Sequence, residues 1–290
     1  MIEFKHVCAS YDLEQPILNE VSFSIEDGEF VAFVGTNGAG KSTTMRLCNG
    51  LLKPTKGEVL IDGVPTTELR TSELARRIGF LFQNPDRQIC CASVREELLF
   101  GFTVLGISQE EAKARVDACI EEFGFDPDAE PFLLNRGTRQ LLALASIIVL
   151  QPSVVILDEP TTGLDYRECV KVMNIVKRLH EAGTTVIMVC HDMEVVGDYA
   201  ERVIVMDQGC VVDQGPTFEV LRRPDTLRKA HLIPPQVTDI SLRLEREFPH
   251  LKGGAVACAN HLDDMVSALV AQTQANTYAC AQAYEGGLAS

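Results

Sequence analysis

The chain has 290 residues, 46% hydrophobic and 23% charged, with 41 acidic against 26 basic residues and a formal net charge of −15. That length allows one large domain plus a small appendage and a sizeable core. The acidic excess, with no basic block to relieve it, argues against nucleic-acid binding, which needs concentrated Lys and Arg.

Short apolar runs alternate with longer amphipathic segments, the signature of an α/β domain with a largely parallel sheet. The N-terminus, MIEFKHVCAS, lacks the basic-then-apolar design of a secretory signal. Strands are predicted over Ile2–Val7, Val21–Ile25 and Phe30–Val34, the last a continuous apolar run ending at Gly35. A helix should begin near Lys41 and stop near Gly50. The turn Pro54-Thr55-Lys56-Gly57 precedes another strand, Glu58–Asp62. From about Asn84 to Leu150 the pattern is mainly helical, with capping-box signals at Ser93-x-x-Glu96 and Ser108-x-x-Glu111. The longest apolar run, Leu141–Leu150, falls well short of the roughly 18 residues of a membrane span and reads as a buried helix. A soluble, cytosolic protein is therefore expected.

Strands resume at Val154–Leu157, Thr184–Val189 and Arg202–Met206, with a helix over Asp165–Ala182 that Gly183 stops. Composition shifts after about Pro224. Pro234-Pro235 breaks the chain, and Lys and Arg vanish from Gly253 onward. There Leu262, Met265, Val266 and Leu269 share one helical face, which fits a docking helix or a frayed tail. No internal repeat is present. Ten cysteines include no Cys-x-x-Cys pair, and the adjacent Cys90 and Cys91 suit neither a zinc knuckle nor a redox motif. Cys8, Cys48, Cys169 and Cys190 lie in apolar stretches and are expected to be buried and reduced.

Two segments carry chemistry. Gly35-Thr36-Asn37-Gly38-Ala39-Gly40-Lys41-Ser42 matches the phosphate-binding pattern G-x-x-x-x-G-K-[ST], between an apolar strand and a helix. Glycines let successive backbone N–H groups curl around phosphate oxygens at a positive helix N-terminus. Lys41 then reaches the β- and γ-phosphates, and Ser42 offers a hydroxyl to Mg²⁺. The candidate phosphate-loop contacts are Gly35, Asn37, Gly38, Ala39, Gly40, Lys41, Ser42 and Thr43. The second segment, Val154–Glu159, is an apolar strand that delivers carboxylates to its C-terminal edge, where α/β folds place ligands. Asp158 would hold Mg²⁺, and Glu159 would polarise an attacking water. Alone, Asp-Glu after a strand could equally be a solvated helix cap; the phosphate loop upstream favours the catalytic reading.

With Glu159-Pro160-Thr161-Thr162-Gly163-Leu164-Asp165 downstream of that loop, residues 1–225 resemble the nucleotide-binding subunit of an ATP-binding cassette (ABC) transporter. The resemblance implies a phosphate-loop NTPase core with an antiparallel β region near the N-terminus. It also implies a helical subdomain inserted at about 84–150, and leaves residues 226–290 as a small C-terminal extension for dimerisation or docking. Tyr11 matches the aromatic that stacks on adenine. Gln83 matches the glutamine that links Mg²⁺ and water to the membrane partner, His191 the histidine that contacts the γ-phosphate, and Asp165 the aspartate that communicates across a dimer. Lys41, Gln83, Glu159 and His191 are then the catalytic candidates, and Ser42, Gln83 and Asp158 the metal candidates.

One motif departs from the family. Where Leu-Ser-Gly-Gly-Gln would cap ATP held by the opposite subunit, this chain has Leu134-Asn135-Arg136-Gly137-Thr138. Asn remains a good N-cap and a helix N-terminus still favours an anion, so weakening rather than abolition is expected. Because that motif acts in trans, a heterodimer with a second ABC ATPase is favoured over a homodimer. Phe82-Gln83-Asn84-Pro85-Asp86-Arg87-Gln88 and Leu232–Val237 are similar to the energy-coupling factor branch, which imports vitamins or transition-metal ions. The resemblance therefore implies ATP and Mg²⁺ as ligands and a location at the cytoplasmic face of the membrane. Its implied partners are integral membrane coupling and substrate-binding subunits. The rival readings are a non-transport ABC ATPase, or a regulatory one that binds ATP with little turnover.

Overall fold

The computed structural model describes residues 1–11, 16–259 and 263–271. From the N-terminus come β1 (Ile2–Ala9), β2 (Leu18–Ile25), β3 (Phe30–Val34), α1 (Lys41–Cys48), β4 (Lys56–Ile61), β5 (Val64–Pro65), α2 (Thr71–Leu74) and β6 (Ile78–Leu81). A helical block follows: α3 (Val94–Leu105), α4 (Gln109–Phe123) and α5 (Arg136–Ile148). The chain then returns to alternation with β7 (Val154–Asp158), α6 (Tyr166–Glu181), β8 (Thr185–Val189), α7 (Met193–Tyr199), β9 (Arg202–Asp207) and β10 (Cys210–Pro216). It continues through α8 (Thr217–Leu221), α9 (Pro224–Lys229) and α10 (Gln236–Glu247), with a last helical stretch at 263–271.

Two sheets organise these elements. The smaller, ordered β2-β1-β4-β5, is antiparallel. The larger runs β10-β9-β3-β8-β7-β6 and is parallel except where β10 pairs antiparallel with β9. Its central strands β3 and β8 are buried at every position, which is why they read as unbroken apolar runs. Side chains along a strand alternate between faces. Phe30, Ala32, Val34, Val155, Leu157, Val186 and Met188 accordingly enter a core shared with the helical block and α6. Val31, Phe33, Val154, Ile156, Ile187 and Val189 enter a second core with α1 and the antiparallel sheet. Truncating a fully buried side chain such as Phe33 to Ala should cost about 3–5 kcal/mol.

The N-terminal antiparallel region and the parallel core agree with the sequence reading, with boundaries shifted by a few residues. Three strands have no counterpart in that reading, among them β5, which is only two residues long. β6 is four residues long with a glycine inside, too short to show a period, and β10 is an edge strand whose half-exposed residues look like a loop. Ser93 and Ser108 do cap α3 and α4, each hydroxyl accepting the N–H of Glu96 or Glu111 at 3.2 and 3.3 Å. The reciprocal box closes instead at α6, where Asp165 and Glu168 exchange bonds at 2.8 and 3.1 Å. Cys48 and Cys190 are buried as expected, whereas Cys8 and Cys169 are only half-buried.

After α9 the chain folds back onto the cassette. Gln236 donates its backbone N–H to Glu194 of α7 at 2.7 Å, and Arg222 bonds Ser241 and Glu245 of α10 at 2.8 and 2.5 Å. Met265 and Ala268 are buried with Val237, Val256 and Ala259. Val266 is exposed, so the apolar face expected there is narrower than the sequence pattern; Leu262 lies outside the described residues.

Candidate functional site

Four adjacent parallel strands end at one edge of the main sheet, and each hands over a residue singled out in the sequence. The loop beginning at Gly35 leaves β3, Asp158 and Glu159 stand at the end of β7, His191 follows β8 and Gln83 follows β6. Register aligns them: Asp158 lies opposite Val189, and Phe33 also lies opposite Val189. Residues 156 positions apart in sequence, Gly35 and His191, are thereby brought to a common rim. This is where open parallel sheets bind ligands.

The phosphate loop is shaped by backbone that only glycine accepts. Gly35 has φ +146°, and a Cβ there would sit 2.1 Å from the Met206 carbonyl oxygen. Gly40 caps α1 in a left-handed conformation, with no side chain taking the first N–H groups of that helix. Those groups are left for a ligand. Asn37 and Gly38 form the exposed tip, and Ala39 and Thr43 are buried. Lys41 is 5% exposed and donates to the carbonyls of Gly35 at 2.7 Å and Thr36 at 2.9 Å. Burial pulls its pKa below the usual lysine range, against the opposing pull of the Glu159 and Asp158 charges.

Ser42 donates to Asp158 at 3.3 Å, so a hydroxyl and a carboxylate lie side by side. Hard oxygen donors of this kind are what Mg²⁺ takes. Burial raises the Asp158 pKa, with the Glu159 charge adding and the Ser42 bond opposing. A cation at this point would relieve that penalty, so the donor set fits the metal. Glu159, in the sparsely populated positive-φ region at +53°, gathers three donors. His191 Nε2 lies 2.8 Å from its Oε1, while Gln83 Nε2 and Thr162 Oγ1 donate to its Oε2 at 2.6 and 3.0 Å. With the ring proton on Nε2, His191 donates as well.

Other expected residues fall outside this cluster. The Tyr11 hydroxyl accepts from Arg46 of α1 at 2.7 Å, and the guanidinium lies 5.7 Å from the ring centroid, so the aromatic stands beside the phosphate-loop helix. Asn135 is the N-cap of α5, its Oδ1 accepting the Thr138 N–H at 2.8 Å. Arg136 donates to the Thr162 carbonyl at 3.0 Å. Gly137 is buried, and a Cβ there would meet the Glu168 carboxylate at 1.8 Å. Asp165 caps α6.

Thr162, Arg46 and Arg139 were not singled out in the sequence. Arg139 of α5 forms an ion pair with Asp86 at 2.9 Å, tying that helix to the segment after Gln83. A lone Thr, Arg or Asp carries no spacing signal, and only the fold shows the pairing. The segment after Gln83 also borders a groove between β6 and the helical block, lined by Leu51, Phe80, Phe82, Phe100, Ile147 and Leu150. Leu51 and Phe100 are about half exposed there. Among the described residues no helix is long and apolar enough to cross a membrane.

Comparison with known proteins places this geometry among relatives. A family model described as ABC transporter matches residues 18–162. The energy-coupling factor transporter ATP-binding protein EcfA2 of Clostridium perfringens is 41% identical over 232 residues, covering 78% of this chain and 81% of that protein. The structure of cbiO1 from the same organism, described as part of the ABC transporter complex cbiONQ, superposes with a TM-score of 0.70 at 33% identity, over 82% of this chain and 97% of the other. A dimeric cassette, MJ0796 bound to ADP and Pi, gives a TM-score of 0.67 at 31% identity, over 75% and 99%. Three further curated relatives are matched over only 44%, 39% and 40% of their own length, so the chain spans about two fifths of those proteins.

Proposed function

The chain belongs to the ABC transporter ATP-binding family, and from that premise we propose that it binds and hydrolyses ATP to drive a membrane importer of the energy-coupling factor type. The observation that carries the reading is the meeting of Lys41, Ser42, Asp158, Glu159, His191 and Gln83 at the ends of four neighbouring strands. The loop Gly35–Thr43 cradles the phosphates with its backbone N–H groups, Lys41 turns from the Gly35 and Thr36 carbonyls to the phosphate oxygens, and Tyr11 takes the adenine. Ser42, Asp158 and Gln83 would hold Mg²⁺, which would neutralise charge on the β- and γ-phosphate oxygens.

Glu159 is the general base. A carboxylate has about four lone-pair sites and three are taken by His191, Gln83 and Thr162, so one is left to accept a proton from water. Lys41 and His191 stabilise charge on the γ-phosphoryl group in the transition state. Gln83 bonds Glu159 and also opens the segment that borders the apolar groove, so it connects the base to the surface where a membrane subunit's helix docks. Closing two cassettes on ATP moves that groove, and hydrolysis releases it. Residues 1–225 form the cassette, with the helical subdomain at about 84–150. Residues 226–290 form an extension for dimerisation or docking. The protein works as a peripheral subunit at the cytoplasmic membrane face, and the cargo is a vitamin or transition-metal ion selected by the membrane subunits.

The partner cassette is a different chain. Asn135 and Arg136 stand where the family's serine and first glycine would meet ATP across the dimer, while this chain's own loop and carboxylates follow the pattern. The same two residues favour the second reading, a regulatory cassette with little turnover. Replacing Glu159 with Gln separates the two. If the protein is an ATPase, turnover in the assembled complex collapses while ATP binding persists; unchanged turnover would remove Glu159 from the role.

A further inference from the structure

Cys90 and Cys91, unpromising as sequence neighbours, converge with a third side chain in the fold. The segment leaving Gln83 passes through a short 3-10 turn at Pro85–Arg87 and reaches both cysteines just ahead of α3. Glu97, in the first turn of α3 and 4% exposed, turns its carboxylate back on them. Its Oε2 accepts the backbone N–H of Cys90 and of Cys91, each at 2.9 Å.

Neighbouring side chains on extended backbone point to opposite faces. Here the turn held by Glu97 leaves the two Sγ atoms 4.0 Å apart. The two sulfurs and a Glu97 carboxylate oxygen all lie within 4.8 Å of one another, the one such convergence of three metal-ligating side chains among the described residues.

That spacing is informative. A tetrahedral ion with metal–sulfur bonds of about 2.3 Å holds two sulfurs about 3.8 Å apart, whereas a disulfide requires about 2.05 Å. Glu97 supplies a second, independent sign. It is a buried carboxylate with no Lys or Arg ion pair among the described residues; the two backbone N–H groups satisfy one oxygen by hydrogen bonding, but its charge is not balanced by a side-chain cation.

We propose that Cys90, Cys91 and Glu97 form a binding site for a thiophilic divalent cation of the zinc class. Thiolate pairs select soft or borderline ions over Mg²⁺, so the site is chemically separate from Ser42 and Asp158. Cys90 is exposed, which gives the ion an entry path and leaves a coordination position open to solvent. Glu97 and Gln88 also line the apolar groove. An ion held here fastens the Gln83–Cys91 segment to α3 along one wall of that groove. The inference concerns this chain's own side chains and does not depend on the transport reading.

The test titrates the reduced, metal-stripped full chain with Cd²⁺ alone, following sulfur-to-metal charge-transfer absorption, and then with Zn²⁺ against a chromophoric chelator. The wild-type chain should take one equivalent more than C90S/C91S. Each single serine variant should lose at least about tenfold in affinity, since even weaker perturbations of metal sites cost that much. C258S, which removes an exposed thiol elsewhere, should keep the extra equivalent. E97Q should weaken it, with circular dichroism reporting whether the buried substitution still folds. The two cysteine positions are not fully buried, so the serine variants decide the outcome if E97Q fails to fold. Equal stoichiometry and affinity in wild type and C90S/C91S would overturn the proposal. So would recovery of Cys90 and Cys91 as a disulfide that persists under reducing conditions and takes no metal.

Discussion

The N-termini of α1 and α5 invite comparison, because each opens a helix beside a motif associated with ATP and they are built in opposite ways. At α1 the cap is Gly40, left-handed and without a side chain, so no cap side chain takes the leading N–H groups beside Lys41. At α5 the cap is Asn135, whose own Oδ1 takes the Thr138 N–H, and the next residue folds its guanidinium onto the Thr162 carbonyl. A serine cap accepts the same bond and still has a hydroxyl proton to donate. Asn must use its amide nitrogen, set further out. One terminus is thus arranged for a phosphate, while the other spends part of its polar capacity within the chain. The contrast teaches that local helix physics can be satisfied at both ends while only one stays open to an anion.

Substitutions at the two sites test that contrast. Replacing the proposed base, Glu159→Gln, should lower ATP turnover of the assembled complex by about 10²–10⁴-fold, with nucleotide binding kept, in a steady-state phosphate-release assay. His191→Ala should cost about 10²–10³-fold, since it removes one donor to the developing charge and one of the three groups that hold Glu159. Lys41→Ala acts on binding. The loss of a charge-assisted bond, about 1.5–3 kcal/mol, should weaken ATP by about 10–100-fold in equilibrium titration.

The smallest effect concerns stability. Burial raises the Asp158 pKa, so the native state holds that proton to higher pH than the unfolded chain does. The native state's disadvantage from this group is therefore absent below the ordinary aspartate range and grows as pH rises through the raised value. Asp158→Asn should flatten that part of the pH–stability curve and raise the nucleotide-free melting temperature near neutral pH. It should also remove Mg²⁺-dependent ATP binding. A lower melting temperature would show that Asp158 is stabilised by its surroundings instead.

The legibility of these regions in the sequence differed for physical reasons. The phosphate loop was visible because its geometry demands glycine at fixed intervals between a buried strand and a helix, and fully buried parallel strands leave apolar runs such as Phe30–Val34. β6 escaped notice because four residues cannot display a period, although it carries Gln83 to the site. Thr162 lies within the quoted Glu159–Asp165 motif, but its bond to Glu159 depends on the local turn, and the Arg139–Asp86 ion pair depends on the approach of distant segments. The convergence of Cys90 and Cys91 is hidden by their adjacency. Adjacency in an extended chain separates side chains, and only the turn held by Glu97 reverses this.

On the proposed reading, this chain's own nucleotide site is complete while the motif it offers across the dimer is not. The most direct test is ATP turnover of the purified chain without other subunits, wild type against N135S/R136G/T138Q. Turnover should be slow in the wild type and rise about tenfold in the triple variant, which adds back roughly one to two hydrogen bonds to charge. Adding Glu159→Gln to that variant should abolish the rise. Vigorous turnover by the wild-type chain alone, unchanged by the three substitutions, would contradict it.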